Sequence, residues 1–153
     1  MPFNILWPTI TLVALIFVVW MIMYYQRFAH MRRNPPSAQD FSDGASAMRY
    51  FAPVEMPANN LRNLFEMPVL YFALVPLLLI THHANHIQVI LAWAYVILRV
   101  IHSFIHIGPK RVPPRFLIYV ASCAVLSAMW IGFTIDMATA ASAYDAAMAN
   151  ISG

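Results

Sequence analysis

The chain has 153 residues, of which 61% are hydrophobic and only 10% are charged, whereas a soluble domain carries about 25% charged residues. This is too little charge to wet the surface of a globule, so the composition excludes an ordinary soluble domain and indicates a protein surrounded by membrane lipid. The net charge of +3 does not indicate a nucleic-acid partner, because a basic binding face needs a polar body to carry it.

The first predicted helix covers residues 5–25, which contain no charged side chain. About 20 apolar residues cross the hydrocarbon core of a bilayer, and this run is too long for the apolar part of a signal peptide. Residues 26–60 follow, with clustered Pro, Ser, Asp and Gly. We expect them to form an aqueous loop.

The second predicted helix covers residues 61–80. Its purely apolar part, residues 67–80, is too short to span a bilayer comfortably. Starting the helix at Leu61 corrects the length, but it places Arg62, Asn63 and Glu66 in or against the membrane. Such side chains cost up to roughly 3 kcal/mol each at the bilayer centre, so they require polar partners.

The third and fourth predicted helices cover residues 87–107 and 116–138. The sequence therefore predicts an all-α membrane protein, with residues 1–153 forming a single domain that is a bundle of four transmembrane helices. No metal site is predicted from the lone cysteine, Cys123.

The distribution of Lys and Arg predicts the orientation of the bundle. The loop after the first helix and the link before the fourth are the basic ones, and cytoplasmic loops are enriched in Lys and Arg. We therefore expect loops 26–60 and 108–115 to be cytoplasmic, and both termini to be non-cytoplasmic, in a multi-pass integral membrane protein.

This topology brings the ionisable residues together at the cytoplasmic side of the bundle. Arg99, His102 and His106 are spaced three and four apart, so they form one stripe of the third helix. Arg99 lies about 12 Å from the end of that helix, at ~1.5 Å per residue. Further polar residues at the same level are Arg27, Arg62, Asn63, Glu66, Lys110, Arg111 and Arg115.

Two interpretations of this constellation are open. One is a structural ion pair between Glu66 and Arg99 that locks the second helix to the third. The other is a binding site for an anionic ligand, in which the surplus cations bind the anion and Glu66, as the one buried acid, binds a small cationic group.

Two segments resemble the MAPEG family, the membrane-associated proteins in eicosanoid and glutathione metabolism. Residues 62–68, R-N-L-F-E-M-P, resemble the R-N-x-x-E signature of that family. Residues 99–115 resemble its prostaglandin E synthase branch, with an Arg, a His three residues later and an Arg thirteen after the His. Arg99, His102 and Arg115 match this pattern without a gap.

The resemblance implies a homotrimer of four-helix bundles that binds glutathione near the cytoplasmic face, between neighbouring subunits. By match to the family, Arg115 is the catalytic candidate that stabilises the glutathione thiolate. The candidates for holding the tripeptide are Arg27, Arg62, Asn63, Glu66, Arg99, His102, His106 and Arg111. A hydrophobic small molecule or lipid is the expected second substrate, arriving from the membrane lipid.

The resemblance also has two departures from the family pattern. His106 stands where many members have a Tyr, and Phe116 stands where the prostaglandin synthases have a Ser. The function expected is a glutathione-dependent transferase or peroxidase acting on hydrophobic electrophiles or lipid hydroperoxides. The alternatives are a non-catalytic scaffold or accessory subunit of the same fold, and a helix bundle that binds a metal or haem through His102 and His106.

Overall fold

The computed structural model describes residues 2–108 and 112–152, and α-helices dominate this part of the chain. The α-helices, in chain order, are α1 (Leu6–Arg33), α2 (Gly44–Phe51), α3 (Met56–Glu66), α4 (Pro68–Ile80), α5 (His86–Ile107) and α6 (Val112–Ser152). Single 3₁₀ turns occur at Pro2–Ile5, Ala38–Phe41 and Ala52–Val54.

Four helical stretches of the described chain are long and apolar enough to cross a membrane. They are Leu6–Arg33, Met56–Ile80, His86–Ile107 and Val112–Ile151. Each overlaps one of the four predicted helices, which confirms the predicted all-α fold with four helices long and apolar enough to span a membrane. The helices extend beyond the predicted ends, most of all α1 and α6.

The second span consists of two helices, α3 and α4, which meet at Met67. Pro68 has no N–H to donate to the carbonyl four residues earlier, so the helical hydrogen-bond ladder is interrupted here. Met67 nevertheless keeps right-handed helical backbone angles, φ −67° and ψ −37°. The span also begins at Met56 rather than Leu61, with Pro57 in its first turn. The earlier start makes Asn60 part of the helix.

The predicted loop 26–60 is more ordered than expected. It contains the end of α1, the whole of α2 and the start of α3. Pro35 and Pro36 follow α1 directly and prevent its continuation. Asp43 caps α2 by accepting a hydrogen bond of 2.7 Å from the Ser46 N–H. That bond holds the pKa of the Asp43 carboxyl below its ordinary value of 3.8.

An aromatic cluster attaches this segment to the end of α1. The Tyr50 ring lies 4.9 Å from that of His30 and 5.5 Å from that of Phe41, and the Tyr50 hydroxyl donates a hydrogen bond to the Asn34 carbonyl. Sequence reasoning assigned these residues to a solvated loop because their apolar contacts join segments that are distant in sequence.

The core lies between the four spans, and α5 packs most extensively against α6. Its fully buried members include Leu12 of α1, Tyr71 and Leu78 of α4, Tyr95 of α5 and Met129 of α6. The Tyr71 and Tyr95 rings stack at 5.2 Å.

Large apolar side chains such as Phe17, Ile80 and Phe104 remain exposed, as expected of helices whose outer surface meets lipid.

Gly132 allows the close approach of α5 and α6. The Gln88 side chain crosses from α5 and donates a 3.0 Å hydrogen bond to the Met129 carbonyl of α6. A Cβ atom on Gly132 would lie 3.2 Å from the Gln88 Nε2 atom. There is therefore no room for a larger side chain unless Gln88 moves.

We expect Gly132→Leu to destabilise the detergent-purified protein by about 1–3 kcal/mol, because the added atoms force Gln88 off the Met129 carbonyl. Thermal unfolding followed by circular dichroism measures the loss. Gly44→Leu is the matched control, since a Cβ at Gly44 meets no atom within 4 Å. Equal melting temperatures for the two variants would contradict this account of the interface.

Candidate functional site

Arg99 is the central residue of the candidate site, and its side chain is 0% exposed. Its Nη2 atom donates a 2.8 Å hydrogen bond to the Asn63 carbonyl, and its Nη1 atom donates a 3.3 Å bond to the Ser122 hydroxyl. The guanidinium carbon lies 5.3 Å from the centre of the Tyr119 ring. The Nε atom is buried without a hydrogen-bond partner.

His102 lies one turn further along α5 and is also buried. Its Nδ1 atom is 3.2 Å from the Arg115 carbonyl oxygen. A carbonyl can only accept, so Nδ1 carries the proton, and in the neutral ring Nε2 is a hydrogen-bond acceptor. Nε2 is buried and has no partner. His102 therefore offers an unused polar atom beside Arg99.

A cavity of about 300 Å³ lies beside these two residues, between α3, α5 and α6. Its lining residues are Asn63, His102, Val112, Arg115, Phe116 and Tyr119. Three sequence-predicted residues, Asn63, His102 and Arg115, thus meet in one cavity. Tyr119, whose ring also contacts Arg99, connects the cavity to the buried guanidinium.

The suggested ion pair between Glu66 and Arg99 is not formed, and Glu66 is not a buried acid. Glu66 and Arg62 are both exposed. The reason is helical geometry: residues advance by about 100° around an α-helix. Arg62 and Glu66 therefore lie on the face of α3 opposite Asn60 and Leu64, which pack into the bundle.

Arg27 is placed outside the cavity, at the junction of α1 with the segment before α3. It forms an ion pair of 3.3 Å with Glu55, and its guanidinium lies 4.8 Å from the centre of the Phe51 ring. Lys110 and Arg111 lie outside the described residues, so the predicted binding role of Arg111 stays a prediction.

A second polar cluster lies between α3 and α5, formed by Asn60, Ser103 and His106. All three side chains are buried. The Asn60 Oδ1 atom accepts hydrogen bonds from the Ser103 hydroxyl at 3.4 Å and from His106 Nδ1 at 3.3 Å. The His106 ring lies 5.6 Å from that of His102. His106 is thus next to the cavity, although it does not line it.

Sequence reasoning missed several residues of this region, namely Asn60, Ser103, Tyr119 and Ser122. A signal for Ser103 was present, because it lies on the same stripe of α5 as Arg99, His102 and His106. Asn60 would have been found only by starting α3 earlier. Tyr119 and Ser122 lie in an apolar run, where the sequence pattern does not indicate a polar role for either residue.

Within residues 2–108 and 112–152, no group of three or more His, Cys, Asp or Glu side chains is placed to hold a metal ion. His83, from the histidine-rich link between α4 and α5, instead has its Nδ1 atom 2.6 Å from the Thr81 carbonyl.

A comparison with protein families decides the relationship of the chain. The model of the MAPEG family matches residues 5–135, which include the first three spans, residues 112–135 of the fourth and every cavity-lining residue. The chain belongs to the MAPEG family. No curated protein and no solved structure gives a significant match.

Membership of the MAPEG family supports a membrane protein related to glutathione or eicosanoid metabolism. The match covers the segments 62–68 and 99–115, whose spacing suggested the family, together with the first helix. The cavity therefore lies in the part of the chain that the family model matches.

We expect Tyr119→Leu to destabilise the protein by about 0.5–2 kcal/mol, because the Arg99 guanidinium loses its aromatic neighbour in a desolvated place. Tyr119→Phe keeps the ring and should lose less than half as much. Thermal unfolding of the two variants in the same detergent compares them. Equal losses would show that the hydroxyl, not the ring, is the important group.

Proposed function

We propose that this MAPEG protein is a membrane-bound, glutathione-dependent transferase or peroxidase that acts on hydrophobic electrophiles or lipid hydroperoxides. The observation that carries the proposal is the fully buried guanidinium of Arg99. Among the described residues, no carboxylate lies within ion-pair distance of it, and the recorded ion pair joins Arg27 to Glu55.

An unpaired buried charge is costly. Removing an ion from water costs several kcal/mol even after relaxation, and two neutral acceptors and a ring offset only part of this. The cost is understandable if the site is completed by an anion. Glutathione carries two carboxylates, and carboxylates are groups that a guanidinium binds well.

The unused atoms around the cavity fit a peptide-like anion. Arg99 Nε is a buried donor without a partner, and His102 Nε2 is a buried acceptor without one in the neutral ring. A tripeptide offers oxygen acceptors and N–H donors to both. Asn63, which lines the same cavity, presents a side-chain amide that can donate and accept.

Arg115 is the residue that we assign to the thiol. Bound glutathione supplies a thiol whose thiolate form is the nucleophile, and a neighbouring cation favours that form. The half-buried Arg115 lines the cavity and matches the position of the thiolate-stabilising Arg in the family resemblance. Its guanidinium forms no ion pair with an acidic side chain of the described residues, so it is available for this role.

The exposed charges of α3 suggest that neighbouring subunits share the site. Arg62 and Glu66 are exposed on their own chain, on a span that is long and apolar enough to cross a membrane. We propose that they face a neighbouring subunit in a homotrimer, where Glu66 binds the ammonium group of glutathione and Arg62 a carboxylate. Arg27, and Arg111 outside the described residues, are the further candidates.

The second substrate is proposed to arrive from the bilayer. Phe116 follows Arg115 directly, lines the cavity and is 62% exposed, so the cavity opens beside an apolar surface. By the distribution of Lys and Arg, the cavity lies at the cytoplasmic side. Both termini are proposed to be non-cytoplasmic.

Glutathione binding to the detergent-purified protein, measured by calorimetry, tests the proposal. We expect saturable binding that Glu66→Gln weakens, because the ammonium group loses its counter-ion. Arg115→Ala should retain binding but lose the ultraviolet absorbance of the thiolate and the turnover of a hydrophobic electrophile, since the cation beside the thiol is removed.

Gln39→Ala changes an exposed residue that does not line the cavity. It is the control for effects of mutation and purification alone, and it should bind glutathione as the wild type does. If the folded wild-type protein does not bind glutathione, the enzyme proposal is wrong and a non-catalytic MAPEG scaffold is the better account. Binding without thiolate or turnover would restrict the function to ligand binding.

A further inference from the structure

The Asn60 side chain has one end fully used and the other end unused. Its Oδ1 atom accepts from both Ser103 and His106, at 3.4 and 3.3 Å. Its Nδ2 atom is buried and has no hydrogen-bond partner. Since the residue is 0% exposed, its own chain shields that donor from water.

The two donors on Oδ1 determine how the amide is oriented. A serine hydroxyl and a protonated ring nitrogen both donate to the carbonyl end, so the NH₂ end is directed elsewhere. Leaving a buried donor unpaired destabilises the folded protein. We therefore expect this fixed and unpaired donor to bind an acceptor that belongs to a ligand and not to the chain.

The position of Asn60 indicates which acceptor. Asn60 lies one helical turn before Asn63, which lines the cavity, and His106 lies one turn after His102, which also lines it. Buried nitrogen atoms without partners thus occur on neighbouring turns of the same two helices, at Asn60, Arg99 and His102. Asn60 and Arg99 do not line the cavity themselves, but each lies one helical turn from a residue that does.

We propose that Asn60 is a further ligand-binding residue of this site, donating through Nδ2 to a carbonyl or carboxylate oxygen of the bound tripeptide. His106 and Ser103 are positioning residues that hold the amide in this orientation. The inference rests on the proposed function, and it gives His106 a different role from the direct binding expected from the sequence.

The substitution Asn60→Asp tests the donor specifically. Aspartate has the same shape and keeps an oxygen for Ser103 and His106, but it replaces the Nδ2 donor by an acceptor. We expect glutathione affinity, measured by calorimetry, to fall at least about tenfold, from the lost hydrogen bond and the repulsion of ligand oxygens. Asn60→Ala should fall about five- to tenfold.

Asn59→Asp is the matched control, because it makes the same change one residue earlier, at a partly exposed position. We expect its affinity to stay within about twofold of the wild type. If Asn60 has a structural role alone, Asn60→Asp will bind as the wild type does, and Asn60→Ala will lose melting temperature without losing affinity. Either result overturns the inference.

Nitrogen NMR of histidine-labelled wild-type protein provides a readout that does not depend on the folding of a variant. The inference requires His106 to carry its proton on Nδ1, and His106→Gln assigns the signal. A proton on Nε2 alone would mean that the Asn60 amide is reversed and Nδ2 is already used, which overturns the inference. Failure of the wild type to bind glutathione would instead remove the proposed function itself.

Discussion

The site depends on the hydrogen bonds of one buried cation. The Arg99 guanidinium joins α3 to α6 through the Asn63 carbonyl and the Ser122 hydroxyl, and it lies against the Tyr119 ring. These partners disperse the charge but do not neutralise it. Burying a cation in a membrane protein without an acid is costly, which supports the proposal that the site is completed by a group that the chain does not supply. The cavity, the unused atoms of His102 and Asn60, and the half-buried Arg115 are all consistent with an anionic ligand there.

At the interface between α3 and α5, the side chains that would favour ligand binding are not those that would give the greatest stability. Elsewhere in the bundle, α1, α4, α5 and α6 pack through apolar side chains and through the stacked rings of Tyr71 and Tyr95. Between α3 and α5, by contrast, polar side chains replace that packing, and three of their nitrogen atoms lack partners. An apolar set of side chains would hold α3 more firmly. The polar set is understandable as the cost of keeping donors and acceptors ready for a ligand.

The sequence predicted the four spans and much of the cavity because both depend on local rules. Apolar runs of about 20 residues mark spans, and the stripe of Arg99, His102 and His106 follows from helical spacing. The remaining features depend on contacts between distant segments. The packing of α3 against α5 buries Asn60, and the advance of about 100° per residue then leaves Glu66 exposed on the opposite face. The suggested Glu66–Arg99 pair was therefore wrong. The hydrogen bond from Arg99 to the Asn63 backbone carbonyl is another such contact, and it joins residues 36 positions apart.

The central claim is that Arg99 is retained for a ligand rather than for stability, and thermal unfolding of Arg99→Met with and without glutathione tests it most directly. Methionine fills similar space without a charge to desolvate. The account predicts that the unliganded variant melts no lower than the wild type. It also predicts that glutathione at 100 times its dissociation constant stabilises the wild type by about 2.7 kcal/mol and leaves the variant unchanged. A variant that melts well below the wild type, beside a wild type that glutathione does not stabilise, would show that Arg99 is a structural cation and contradict the account.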